Sequence, residues 1–93
     1  MISKAGDSLA VSGAMTLPLA TALLAEGQAA LVDTETIFDL AAVTDVDSSC
    51  IAVIFGWLRE AERLGKTIRI AHPPQDLLTL AEVYGVTDLL PIA

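Results

Sequence analysis

The nine residues Val46-Asp47-Ser48-Ser49-Cys50-Ile51-Ala52-Val53-Ile54 constrain this fold more than any other stretch. They read as a strand end, a polar cap and the start of a helix. The helix is expected from about Ser48 to Leu64. Ile51, Ile54, Phe55, Leu58 and Ala61 form one face, and Cys50, Val53, Trp57 and Leu64 another. Charges enter only in its second half, at Arg59, Glu60, Glu62 and Arg63. A helix apolar on all sides is buried on all sides. In a small two-layer domain one face goes to a sheet, and the other meets a neighbouring helix or another protein. Trp57 lies on that second face, so it either packs on the first helix or anchors a partner.

The flanking segments supply the sheet. Gly6-Asp7 is a turn pair between two short candidate strands, Ile2–Lys4 and Leu9–Val11, after which Ser12-Gly13 breaks the pattern. Thr16-Leu17-Pro18 starts a helix over about 17–31, with Thr16 as cap and Pro18 tolerated in the first turn. Gly27 falls in its apolar stripe of Leu17, Ala20, Leu24 and Leu31, and would let the helix sit close to the sheet. Thr36–Leu40 is a buried central strand. Asp39 within it is either solvated at the rim or paired, the rim being favoured. Ala41–Asp45 reads as a connecting loop. Gly65-Lys66 stops the second helix, and Thr67–Ala71 alternates as a strand. His72-Pro73-Pro74 is a rigid turn into a third helix, with Pro74 in its first position, Leu77, Leu80, Ala81 and Tyr84 on its apolar face and Gly85 as its stop. The order is β-β-α-β-α-β-α. It predicts an α/β domain with a small mixed sheet of about four strands and helices largely on one side.

Ninety-three residues make one domain, 1–93, without repeat or linker. The apolar fraction is 54% with only 4% aromatics, and the mean hydropathy is +0.63, so aliphatic side chains dominate. Some of that surface faces a partner or is exposed alanine. The net charge of −7 argues against nucleic acid and against an anionic membrane surface, and favours a basic protein partner. The N-terminus has no apolar signal-peptide core. The longest apolar run, Cys50 to Leu58, is far short of the ~20 residues that span a bilayer, so a cytoplasmic protein without direct membrane insertion is expected.

Catalytic chemistry finds little support. The lone His72 sits in a proline turn and reads as solvated or capping. Asp45 and Asp47 are unspecific as a metal pair, and no metal or cofactor is expected. Cys50 has no basic neighbour, so a packed thiol is favoured over a reactive one. What remains is the cap itself. Ser48 and Ser49 stand at a helix N-terminus, which suits an anion, a phosphate or a partner's polar groups, beside the plain reading as N-caps.

With these residues in hand, the chain resembles the STAS domains, named for sulfate transporters and anti-sigma-factor antagonists. The resemblance is carried by Leu9–Gly13, Phe38–Leu40, Val46–Ser49 and Gly65 before Ile68–Ile70. Within that family, Trp57–Ala61, Leu80–Val86 and Leu90-Pro91 are similar to the small stand-alone STAS subunits of Mla-type phospholipid ABC transporters. The resemblance implies a non-catalytic cytoplasmic subunit, peripheral to the inner membrane through its partner. It would bind and stabilise the ATPase of a transporter that maintains outer-membrane lipid asymmetry, and through it the permease. It places the important hydroxyl at Ser48. The alternative is an antagonist switched by phosphorylation of Ser49, although Cys50 stands where antagonists usually carry glycine. The expected partner surface is Asp47, Ser48, Ser49, Cys50, Val53 and Trp57. Homodimerisation of the isolated chain is left open.

Overall fold

The computed structural model describes residues 1–93. A hairpin opens the chain: β1 (Ile2–Ala5) pairs antiparallel with β2 (Ser8–Met15) around Gly6, whose φ of +62° suits a residue without Cβ. Then α1 (Leu17–Ala29) leads to β3 (Glu35–Val46), α2 (Ser48–Arg63) to β4 (Thr67–Ala71), and α3 (Gln75–Val83) to a 3-10 turn at Thr87–Leu89. The sheet order is β1-β2-β3-β4, with β2/β3 and β3/β4 parallel. This is the mixed four-stranded sheet expected from the order of elements.

Pairing puts Leu9, Phe38 and Ile70 in one row across the sheet. Val11, Phe38, Leu40, Ile68 and Ile70 are buried, whereas Ser3, Ala10, Asp39 and Arg69 on the alternating positions are not. One face of the sheet therefore carries the core and the helices. Helix α2 is central, with Cys50, Ile51, Val53, Ile54, Gly56, Trp57 and Ala61 all buried. On its second apolar face Trp57 is covered by α1 and the sheet rather than by a partner, while Leu64 at the helix end stays exposed. Trp57 is fully buried, stacked on Phe38 with ring centroids 4.1 Å apart and planes at 13°. Its indole N–H donates to the Leu23 carbonyl at 3.1 Å. Gly27 of α1 makes this possible, since a Cβ there would overlap the indole ring. The close approach permitted by Gly27 is thus to α2, not to the sheet.

Two segments differ from expectation. β2 runs through Ser12-Gly13 to Met15, and β3 runs through Ala41–Asp45, read as a loop, to Val46. The segment's small and polar residues follow from its position, since beyond Asp39 the strand pairs only with β2. Two register shifts, between Ala10 and Ser12 and between Gly13 and Ala14, each fit an extra β3 residue into that ladder. Helix α3 begins at Gln75 with Pro74 as its extended N-cap, one residue later than expected. The terminal segment returns to β4, where the Ile70 N–H donates to the Pro91 carbonyl at 2.7 Å.

Candidate functional site

The C-terminal ends of β2 and β3 feed directly into α1 and α2, so two helix N-termini open on one rim. Asp47 joins them. It is the N-cap of α2, where Oδ1 accepts the Ser49 N–H at 2.8 Å. Its Oδ2 accepts the Leu17 N–H, the first donor of α1, at 3.1 Å. Thr16 occupies the N-cap position of α1 but makes no side-chain cap bond, so the carboxylate of the second helix's cap serves the first as well. The Leu17 N–H, with smaller help from Ser49, holds the Asp47 carboxyl below the usual range.

Ser48 is exposed and its hydroxyl has no protein partner, and Ser49 is half-buried. Leu17, tied to Asp47, is 71% exposed, and Leu19 is exposed in the same turn. An unpaired hydroxyl and solvent-facing leucines thus occupy the two helix starts that Asp47 joins. The sequence marked Leu17 only as the top of a helical stripe. Its place in the first turn, beyond the reach of the sheet, was the available signal that it faces out.

The other residues expected on this surface are elsewhere. Cys50, Val53 and Trp57 are in the core, Trp57 between Phe38 of the sheet and Leu23 and Gly27 of α1. Cys50 contacts Met15 at a Sγ–Sδ distance of 3.7 Å. Burial, with a smaller effect from the Asp47 charge, pushes its thiol pKa up to about 12. It is an inert packed thiol, as its lack of a basic neighbour suggested. These three residues are corrected from surface to scaffold, which leaves Asp47, Ser48 and Ser49 on the rim.

Asp39, on the helix-free face, is paired rather than only solvated at the rim. Its Oδ1 accepts the Ala41 N–H at 2.9 Å and lies 3.0 Å from His72 Nδ1. Those contacts, the Ala41 bond first, hold its carboxyl below the usual range. His72 ends β4 in a left-handed conformation with φ of +52°. No hydroxyl or thiol makes a bond to this pair, which lacks a nucleophile to activate. No group of three or more His, Cys, Asp or Glu residues is placed to hold a metal ion. The one sizeable cavity, of about 500 Å³, lies at the opposite end of the sheet, among Lys4, Asp7, Leu9, Val32 and Thr36. No helix is long and apolar enough to cross a membrane.

A four-stranded mixed sheet, helices on one face and a capped helix start on its rim define a STAS-type domain. The family profile described as "Mlab, STAS domain" matches residues 1–91, and the chain belongs to that family. Among individual proteins, it is 39% identical over 51 residues to the "Intermembrane phospholipid transport system binding protein MlaB" of Haemophilus influenzae. That match covers 55% of this chain and 49% of the relative, so it spans about half of the relative's length. Two solved structures of the anti-sigma factor antagonist SpoIIAA share the fold at 15% identity. The unphosphorylated form has a TM-score of 0.66, covering 88% of this chain and 80% of the other. The phosphorylated form, from Bacillus, has 0.69, covering 100% and 89%.

Proposed function

We propose that this chain is an accessory STAS subunit of an ABC-type phospholipid transporter that maintains outer-membrane lipid asymmetry, docking on the transporter's ATPase through the rim of Asp47, Ser48 and Ser49. The observation that carries the reading is the 39% identity to an intermembrane phospholipid transport binding protein, within a family profile spanning the chain. The rim supports it. Ser48 offers a free hydroxyl, Leu17 and Leu19 offer apolar contact, and the Asp47 clasp presents them in fixed geometry. Such a subunit is non-catalytic and sits at the cytoplasmic side of the inner membrane through its partner.

The second reading, a phosphorylation-switched antagonist, is favoured by the fold shared with both forms of SpoIIAA and by the half-buried Ser49 at a helix start. The two part at the serines. Ser48→Arg places a bulky cation on the rim and should abolish ATPase binding in a size-exclusion co-elution assay, with an unchanged circular dichroism spectrum. Ser49→Ala should leave that binding within about twofold of wild type, as expected for a partly exposed contact. Retained binding by Ser48→Arg refutes the docking rim. Stoichiometric phosphate on Ser49 in native protein, seen by mass spectrometry, replaces the transporter reading with the antagonist one.

A further inference from the structure

The sheet has an open edge beside this rim. β3 pairs with β4 only as far as Asp39, opposite Ala71, and its remaining residues pair only with β2, up to Val46 opposite Met15. β4 stops because His72 turns the chain at a φ of +52° and Pro73 and Pro74 have no N–H to donate. No loop returns to replace it. Apart from the Ala41 N–H taken by Asp39, residues 41–45 make no backbone hydrogen bond outside the β2 ladder. Ala41, Ala42, Thr44 and Asp45 are exposed, while Pro74 and Asp76 border Val43–Val46 across a crevice of only about 20 Å³ and narrow the edge at that end. Natural edges are commonly guarded by lysine or proline. This one carries neither. Its two bulges, which bend and twist the strand, limit the length of added strand it could accept.

We infer that residues 41–45 of β3 receive a short, extended, basic segment of the same partner by strand addition. This rests on the docking of the ATPase at the adjoining rim, because Val46 leads directly into Asp47. Strand addition supplies affinity through main-chain bonds, and side chains flanking the edge set the specificity. Here Asp45 and Asp76 line the crevice beside the edge, and Asp39 stands where the edge begins, bonded to His72. None of the five Lys and Arg residues lies within 13–17, 40–50 or 72–77, so the charge complement is a cationic strand.

The test is amide hydrogen exchange on the full chain, alone and saturated with the ATPase subunit of its own transporter, with complex formation first verified by size exclusion. Amides of residues 41–45 should slow about tenfold or more in the complex, as expected when an open edge becomes a paired ladder. The charge is tested at one position. Ala42→Lys should weaken association about fivefold or more, whereas Ala42→Asp should leave it within about twofold, since steric cost is shared and only the sign of the charge differs. Slowed exchange at residues 48–52 with none at 41–45 overturns the inference and leaves the docking rim standing. Equal losses in the two Ala42 variants overturn the basic segment. Protection of 41–45 that rises with the concentration of the chain alone assigns the edge to a second copy and overturns it also. Absence of any complex refutes the ATPase reading itself, and with it this inference.

Discussion

Two glycines at the α1–α2 interface make opposite predictions for one substitution. Both are buried and helical, so an alanine at either gains about 1 kcal/mol of helix propensity. What the new methyl meets decides the sign. At Gly27 it overlaps three atoms of the Trp57 indole. That ring cannot give way, being stacked on Phe38 and bonded to the Leu23 carbonyl. Overpacking of this kind costs about 1–3 kcal/mol, and displacing the indole forfeits a buried hydrogen bond worth about 1 kcal/mol. Gly27→Ala should therefore destabilise the domain by about 2 kcal/mol net. At Gly56 the methyl overlaps only a terminal carbon of Leu24, a half-buried side chain free to rotate aside. Gly56→Ala should be neutral, or stabilising by up to about 1 kcal/mol. Urea unfolding followed by tryptophan fluorescence reads both. The Gly27 variant should lose roughly 1 M in midpoint for a typical slope, or roughly 8–16 °C in Tm, and the Gly56 variant should lose neither. A Gly27→Ala protein as stable as wild type, or more stable than Gly56→Ala, would refute the claim that a rigid indole fills that gap.

Further outcomes follow from the rim and the core. Asp47→Asn should lower stability at neutral pH and flatten its acid dependence. The folded carboxyl titrates below its ordinary value, so its contribution is present above the ordinary carboxylate range and lost as pH falls through the depressed value; an acid limb identical to wild type in a pH-resolved urea series would contradict this. Cys50 should resist iodoacetamide at neutral pH in the native state and react once the chain is unfolded, because its thiol pKa is pushed up to about 12; native labelling at the rate of a free thiol argues against its burial. Association with the ATPase should slow as salt rises, given the net charge of −7. A rate constant flat across ionic strength in stopped-flow measurements shows that the acidity steers nothing.

The sequence was most readable where periodicity and capping agreed. α2 was expected from Ser48 to Leu64 and runs to Arg63, because Asp47 caps one end and Gly65, at a φ of +69°, stops the other. Asp47 also revealed the cap, but not that its second oxygen reaches Leu17, a contact 30 residues away that no local pattern encodes. Trp57 shows the same limit from the other side. Helical spacing put it on a second apolar face, and only tertiary packing decides whether that face meets α1 or a partner. The one local sign was Gly27, which becomes informative once α1 and α2 are known to cross there. Ala41–Asp45 reads as a loop because its alanines, threonine and aspartate lack the alternation of a half-buried strand. That alternation is absent because the segment has a neighbour on only one edge and stands largely exposed.

The single carboxylate shared by two helices has a mechanical consequence. With Oδ1 on Ser49 and Oδ2 on Leu17, Asp47 fixes the first turns of α1 and α2 to each other, and Ser48 and Leu17 move as parts of one plate. The entropy of arranging that plate is spent when the chain folds, not when a partner arrives. A partner docking there, as proposed, would meet a preformed surface, with encounter rather than rearrangement setting the pace. A disturbance at either helix start is also felt at the other, through the Asp47 carboxylate and through the paired strand ends beneath it, where the Asp47 N–H donates to the Met15 carbonyl.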